Sequence, residues 1–231
     1  MKEPAACRLS LIFAADAPVA VVLRRGPSKW VAVTKWDTSN DRFEEGQWFH
    51  GRIYGERCGL SPDGSLFVYF ATKYKAGNRD DGYQDTYTAV SKPPYLTALA
   101  MWPEGSTWGG GGRFIDNQTL RLAYGAGRTR TPHNGKTEIF MAPMPSHHPN
   151  HPPRGLTIEG DLDYYNPDRA FHDVESPDGC EWAGKDQSGR KIHTRGGALY
   201  YVNQSHSEVL LRNFNGVKRH DVVAPEWAQN W

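Results

Sequence analysis

The densest grouping of chemistry-bearing side chains in this 231-residue sequence is Glu159–Asp173, Glu-Gly-Asp-Leu-Asp-Tyr-Tyr-Asn-Pro-Asp-Arg-Ala-Phe-His-Asp. Asp161 and Asp163 alternate, so on a strand they share one face. His172 carries a ring suited to acid–base work near neutral pH, and Asp173 beside it can orient that ring or accept a proton. Two carboxylates flanked by tyrosines match, in outline, a sugar-cleaving or sugar-binding arrangement. Adjacency in sequence is not productive geometry, however, and Asp and Asn beside Pro167 are also what a turn requires. The turn role outweighs ligand binding here, and ligand binding outweighs catalysis.

Three further groups invite chemistry. His147, His148 and His151 cluster as imidazoles do in zinc, copper or nickel sites, but they sit in Pro143–Pro153, a proline-rich stretch with no acidic or thiol partner nearby. A solvated loop is the stronger reading, and no metal or other cofactor is expected. Trp108 and the glycines before Arg113 suggest a phosphate cradle, yet the run lacks the Gly-Lys-Ser/Thr ending and no helix follows. Four consecutive glycines fit a backbone that bends sharply or approaches another segment closely. Trp102, Trp108 and Arg113 stand as the candidate ligand-binding residues. The pairs Arg24-Arg25, Arg128–Arg130 and Lys218-Arg219 are far apart and read as solvated surface. No Gly-x-Ser-x-Gly elbow or His-Glu-x-x-His motif occurs.

Bulk properties narrow the classes. With 27 basic and 26 acidic residues the net charge is +1, which offers no global field for nucleic acid or an anionic membrane. Mean hydropathy is −0.67, and no apolar run approaches the roughly 20 residues of a membrane span. Cys7, Cys58 and Cys180 form no Cys-x-x-Cys pair, as free thiols of a reducing compartment would not. A cytoplasmic location follows as the expectation. The 24 glycines, 16 prolines, 8 tryptophans and 11 tyrosines favour short strands over helices.

The elements that must position these residues are strands led by turns. Ser-Pro-Asp-Gly occurs at Ser61–Gly64 and again at Ser176–Gly179, and the first copy runs into Ser65-Leu66-Phe67-Val68-Tyr69-Phe70, which alternates as a half-buried strand does. Asp16 with Val19–Leu23, and Ile115–Gln118 with Leu120, Leu122 and Tyr124, fall into register with that unit. The second Ser-Pro-Asp-Gly introduces a fourth, at Cys180–Ala183. Downstream strands are expected at Trp30–Trp36, Thr86–Val90, Thr137–Ala142 and Ala198–Val202, then at Phe43–Phe49, Leu96–Trp102, Leu156–Tyr164 and Val209–Phe214. Turn-led units of three or four strands are the layout of a β-propeller.

Ser-Pro-Asp-Gly before an alternating strand resembles the blade signature of TolB-type propeller repeats. Trp36-Asp37, ending Val33-Thr34-Lys35-Trp36-Asp37, is similar to the terminal dipeptide of WD repeats. The resemblance implies a single all-β domain over residues 1–231, with about four blades. In that arrangement Arg8–Ala14 completes the last blade, and Trp227 and Trp231 pack in a short helical turn. The function expected is a non-catalytic module that binds a protein or a small ligand. The alternatives are a hydrolase, glycoside-directed, using the cluster at 161–173, and a lectin-like module with Trp48 or Trp108 as sugar platforms.

Overall fold

A computed structural model describes residues 6–26, 29–73, 86–103, 107, 109–123, 129–130, 138–139, 156–160 and 178–231. The fold is all-β. In the first sheet β1 (Arg8–Phe13), β2 (Val19–Arg25), β3 (Trp30–Asp37) and β4 (Arg42–His50) form an antiparallel meander. In the second, β5 (Arg52–Ile53) and β6 (Gly59–Leu60) both pair with β7 (Phe67–Thr72) and are two halves of one interrupted strand; β8 (Thr86–Ser91) and β9 (Ala100–Pro103) follow. The third sheet joins β10 (Gly112–Phe114) and β11 (Thr119–Leu122) antiparallel, with β14 (Thr157–Gly160) parallel to β11. Strands β12 (Thr129–Arg130) and β13 (Glu138–Ile139) make a two-stranded ribbon between them in sequence. The last sheet is again a four-stranded meander, β15 (Trp182–Lys185), β16 (Lys191–Arg195), β17 (Ala198–Val202) and β18 (Glu208–Asn213).

Alternation along each strand stacks these sheets face to face. Val21, Leu23, Val31 and Val33 of the first sheet meet Phe67, Tyr69 and Ala71 of the second. Ala20, Val22 and Trp36, on the opposite face, meet Ile192 and Leu199 of the last sheet. Val68, Val90 and Trp102 meet Leu120 and Leu122 of the third. The packing order is therefore last, first, second, third. All six residues of β7 are buried, which corrects the half-buried expectation: period-2 alternation leaves one face wet only where no second sheet covers it. Trp102 is likewise a core residue between the second and third sheets, 7% exposed.

Four hairpin turns join the first two strands of each sheet: Ala14–Pro18, Ser61–Leu66, Ile115–Gln118 and Asp186–Arg190. Carboxylates organise the last three named. Asp63 accepts from the Ser65 amide at 2.9 Å and from both the Ser61 and Ser65 hydroxyls. Asp116 accepts from the Gln118 amide at 2.7 Å, and Asp186 from the amides of Ser188 and Arg190. Hydrogen bonds to the charged form hold Asp116 below the usual carboxylate range, and Asp63 lies low as well, where burial opposes the hydroxyl and amide donors and does not prevail. Each turn also hangs on the next. Gln187 Nε2 donates to the carbonyls of Ala14 and Val19 at 2.8 and 3.0 Å; the Asp16 amide donates to Pro62 O at 2.8 Å; the Asp63 amide donates to Asn117 Oδ1 at 2.9 Å.

Two sequence expectations are overturned. Arg8–Phe13 pairs with β2 in its own sheet, so it does not complete the last one; Cys7 reaches there, its amide donating to Asn215 Oδ1 at 3.0 Å and its thiol to Gly197 O at 3.7 Å. The second Ser-Pro-Asp-Gly is not the counterpart of the first. It precedes β15, whereas the first joins β6 to β7, and the equivalent turn in the last sheet is Asp186-Gln187-Ser188-Gly189. Strand β16, Lys-Ile-His-Thr-Arg, hides from a hydrophobicity scan because three of its five residues are basic.

Between the last and first sheets Arg190 forms a branched ion pair. It donates from Nε to Asp186 Oδ2 at 2.6 Å and from its two terminal nitrogens to Asp41 Oδ2 and Oδ1, both at 2.9 Å, and to Thr38 O at 2.7 Å. The Asp186 side chain is fully buried. Trp36 Nε1 adds a donor to Asp41 at 3.2 Å. Downstream, the C-terminal segment crosses from the last sheet to the second. Gln47 Nε2 donates to Val222 O at 3.1 Å, Lys92 Nζ donates to Trp227 O and Asn230 O at 2.8 and 2.7 Å, and Trp227 packs edge-on against Tyr95. A four-residue helix, α1 (Glu226–Gln229), ends it, giving the expected helical turn at Trp227. Arg190→Ala leaves Asp186 buried without its guanidinium and should cost about 2–3 kcal/mol, the lower side of a broken buried pair because Asp41 is partly solvated. Urea denaturation of the variant checks this; a loss below about 0.5 kcal/mol, the size of an exposed pair, would refute the assigned role.

Candidate functional site

The first strands of the four sheets converge on one cavity of about 810 Å³, within the usual size of small-molecule sites. Ser10–Phe13 of β1, Gly59 and Leu60 of β6, Arg113 and Phe114 of β10, and Trp182 and Ala183 of β15 line it. Ala15, Pro62 and Ile115 from the hairpin turns lie at its edge. The polar groups are few: the carboxylates of Glu56 and Glu181, the Arg113 guanidinium, the Ser10 hydroxyl and the thiols of Cys58 and Cys180. Phe13 stacks on Trp182, with centroids 5.8 Å apart and planes at 27°.

A short 3-10 turn, Gly55–Arg57, interrupts the first strand of the second sheet and carries Glu56 to the cavity. Arg57 holds the glycine run in place from the other side. Its guanidinium donates to Thr107 O at 2.8 Å and Gly109 O at 3.1 Å, and it lies over the Tyr54 and Phe70 rings at 5.1 Å from each centroid. Gly111 adopts φ +90°, and a Cβ there would sit 2.3 Å from Arg57 O. The close-approach reading of the glycines is supported by this geometry, and strand β10, not a helix, follows them.

Neither the Glu56 nor the Glu181 carboxylate has an ion pair or hydrogen bond among the described residues, and both residues are exposed. Arg113 is exposed, lines the cavity and has an interaction of its own within the chain. Burial pushes the Cys58 thiol far up from its ordinary value, and its sulfur donates to Tyr54 O at 3.1 Å. The thiolate that nucleophilic or metal chemistry requires is therefore suppressed. No cysteine of the chain is in a disulfide, as the sequence implied.

Of the sequence-based candidates, Arg113 is at this cavity and Trp102 is in the core. Trp108, His147, His148, His151, Asp161, Asp163, His172 and Asp173 lie outside the described residues. Among the described residues no group of three His, Cys, Asp or Glu side chains could hold a metal ion. Trp48 is half-buried beneath Arg24, whose guanidinium carbon lies 5.7 Å from the ring centroid. Arg24 itself is 7% exposed and donates to Phe214 O at 3.2 Å, so Arg24-Arg25 is not a solvated pair. Ser10, Glu56, Glu181 and Trp182 escaped the sequence reading. The available signal was position: Ser10, Glu181 and Trp182 lie in or beside the strand leading into an Asp-containing turn, although Cys180–Ala183 entered the register as a strand leaving one.

A second titratable cluster occupies the last sheet, on the face opposite Ile192. His193 is 1% exposed and stacks on Tyr200 at 5.3 Å. Glu208 Oε1 lies 3.2 Å from its Nε2, yet neither ring nitrogen has an aligned hydrogen-bond partner. Glu208 is held by Arg195, whose hydrogen bond keeps it below the ordinary glutamate value. Burial lowers the His193 imidazole, outweighing the pull of Glu208.

Two expectations follow from these groups. Cys58 should alkylate with iodoacetamide at least about tenfold more slowly than an unstructured thiol at pH 8, read by mass spectrometry on a Cys7→Ala/Cys180→Ala background; labelling at the unstructured rate would show that its thiolate is accessible. For His193, the unfolded chain takes up the proton near the ordinary value of 6.5 and the folded chain only below it. Its contribution to stability is thus complete above that pH and declines as pH falls through and below it. His193→Gln should flatten the fall in melting temperature between about pH 6.5 and 5, and an unaltered slope would contradict the burial effect. Set beside known proteins, the chain matches no family model and no curated relative.

Proposed function

We propose that this chain is a propeller-like, non-catalytic binding module whose ligand occupies the cavity at the meeting point of the first strands. The observation that carries the reading is the convergence itself: one strand from each of four sheets faces the same cavity, as the innermost strands of propeller blades face a central channel. The face-to-face order last, first, second, third brings the end of the chain beside its beginning, which favours a ring over an open stack. A cavity of this size, with apolar and polar groups both at its wall, suits recognition of a small molecule. The suppressed Cys58 thiol favours binding over nucleophilic turnover there.

Ala15 is exposed at the cavity edge, so Ala15→Trp can plug the site without disturbing a core residue. A fragment library screened by ligand-observed NMR against the native protein and the plugged variant tests the reading. Fragments that bind the native chain should lose binding about tenfold or more in Ala15→Trp, a typical consequence of filling a small-molecule pocket. Fragments that bind both proteins equally, or a library with no binder to the native chain, would overturn it.

A further inference from the structure

Resting on the reading of the cavity as a ligand site, the geometry points to an organic cation, an ammonium group on an apolar body, as the ligand class. Charge balance at the cavity is the first observation. Glu56 and Glu181 come from different sheets, and neither carboxylate is compensated by a described residue. Arg113, the cation at this wall, has interactions of its own. Carboxylates beside apolar walls are penalised as water is displaced unless the incoming group brings a counter-charge.

The second observation is the wall. Phe13, Phe114 and Trp182 line the cavity with Leu11 and Ile12. Aromatic faces attract cations electrostatically, tryptophan most strongly, and the attraction grows as water is excluded. An anion would meet two carboxylates here against the single Arg113 guanidinium. A neutral ligand would fill the apolar volume and leave both carboxylates without a counter-ion. An ammonium on an apolar body satisfies the charge and the wall together.

Isothermal titration calorimetry at low ionic strength, with benzyltrimethylammonium, phenylacetate and benzyl alcohol as probes, tests the class. The cation should bind the native chain at least about tenfold more tightly than either other probe. Glu56→Gln and Glu181→Gln should each weaken it about threefold to tenfold and leave benzyl alcohol unchanged, because removing an exposed charge subtracts only the Coulomb part. Both glutamates are exposed, so melting temperatures should match the native value and exclude unfolding as the cause. If phenylacetate or benzyl alcohol binds as tightly as the cation and Ala15→Trp abolishes that binding, the cavity reading stands and the cation class fails. If the cation binds Ala15→Trp as tightly as the native chain, the cavity reading itself fails. Absence of cation binding to the native chain at millimolar concentration also refutes the class.

Discussion

Four hairpin turns hydrogen-bonded in succession are the constraint on which the rest of the structure depends. Asp186 shapes the last turn, Gln187 of that turn binds the first, Asp16 of the first binds the second, and Asp63 of the second binds Asn117 of the third. Each link runs between polar groups that a sheet meander would otherwise leave to water, so a turn is complete only when its neighbour is in place. The contacts also set the relative height of the sheets. Because every turn joins a first strand to a second, fixing the turns brings the first strands together around one cavity.

Burial then makes the arrangement cohesive. The first and second sheets are each covered on both faces, and their strands carry apolar side chains at consecutive positions for that reason. The boundary between last and first sheets brings together residues far apart in sequence. There Trp36 is fully buried, stacks on Phe43 at 5.6 Å and meets Phe13 edge-on at 5.9 Å. Arg190 joins the same boundary through charge, tying Asp186 of one turn to Asp41 of another. The C-terminal segment adds a third tie, across the outer strand β4. Gly46 permits it: a Cβ there would sit 2.0 Å from Pro94 O, so only glycine lets the Pro93–Tyr95 loop reach the strand and carry Lys92 and Tyr95 to the tail.

The cavity inherits its chemistry from this scaffold. First strands are short and irregular, and the interrupted β5–β6 strand turns Glu56 inward where a continuous strand would have offered an alternating side chain. Cys58, two residues on, is desolvated by the same turn and loses its nucleophilic character. Two carboxylates, an arginine and aromatic side chains remain at the wall.

Strand identity was legible from local pattern. Ala198–Val202 appears as expected to the residue, Trp30–Trp36 and Thr86–Val90 differ from the observed strands by one residue at one end, and Phe43–Phe49 by one residue at each end, because β-branched and aromatic runs bounded by turn residues favour a pleated conformation wherever they pack. Asp63 and Asp116 were legible as turn residues because an aspartate binds amides two residues away, a local interaction. Pairing was another matter. Arg8–Phe13 could join either the first or the last sheet on its own pattern, and only the register with β2 decided it. The duplicated Ser-Pro-Asp-Gly has one local sequence and two topological positions. The cavity depends on Glu56, Arg113 and Glu181 meeting from three separate sheets, and no local spacing encodes that. The sequence by itself determined which segments are strands and where they turn, since those are short-range preferences; the tertiary structure alone decided which strands face one another and which side chains share the cavity, since that is set by long-range burial and by hydrogen bonds between neighbouring turns.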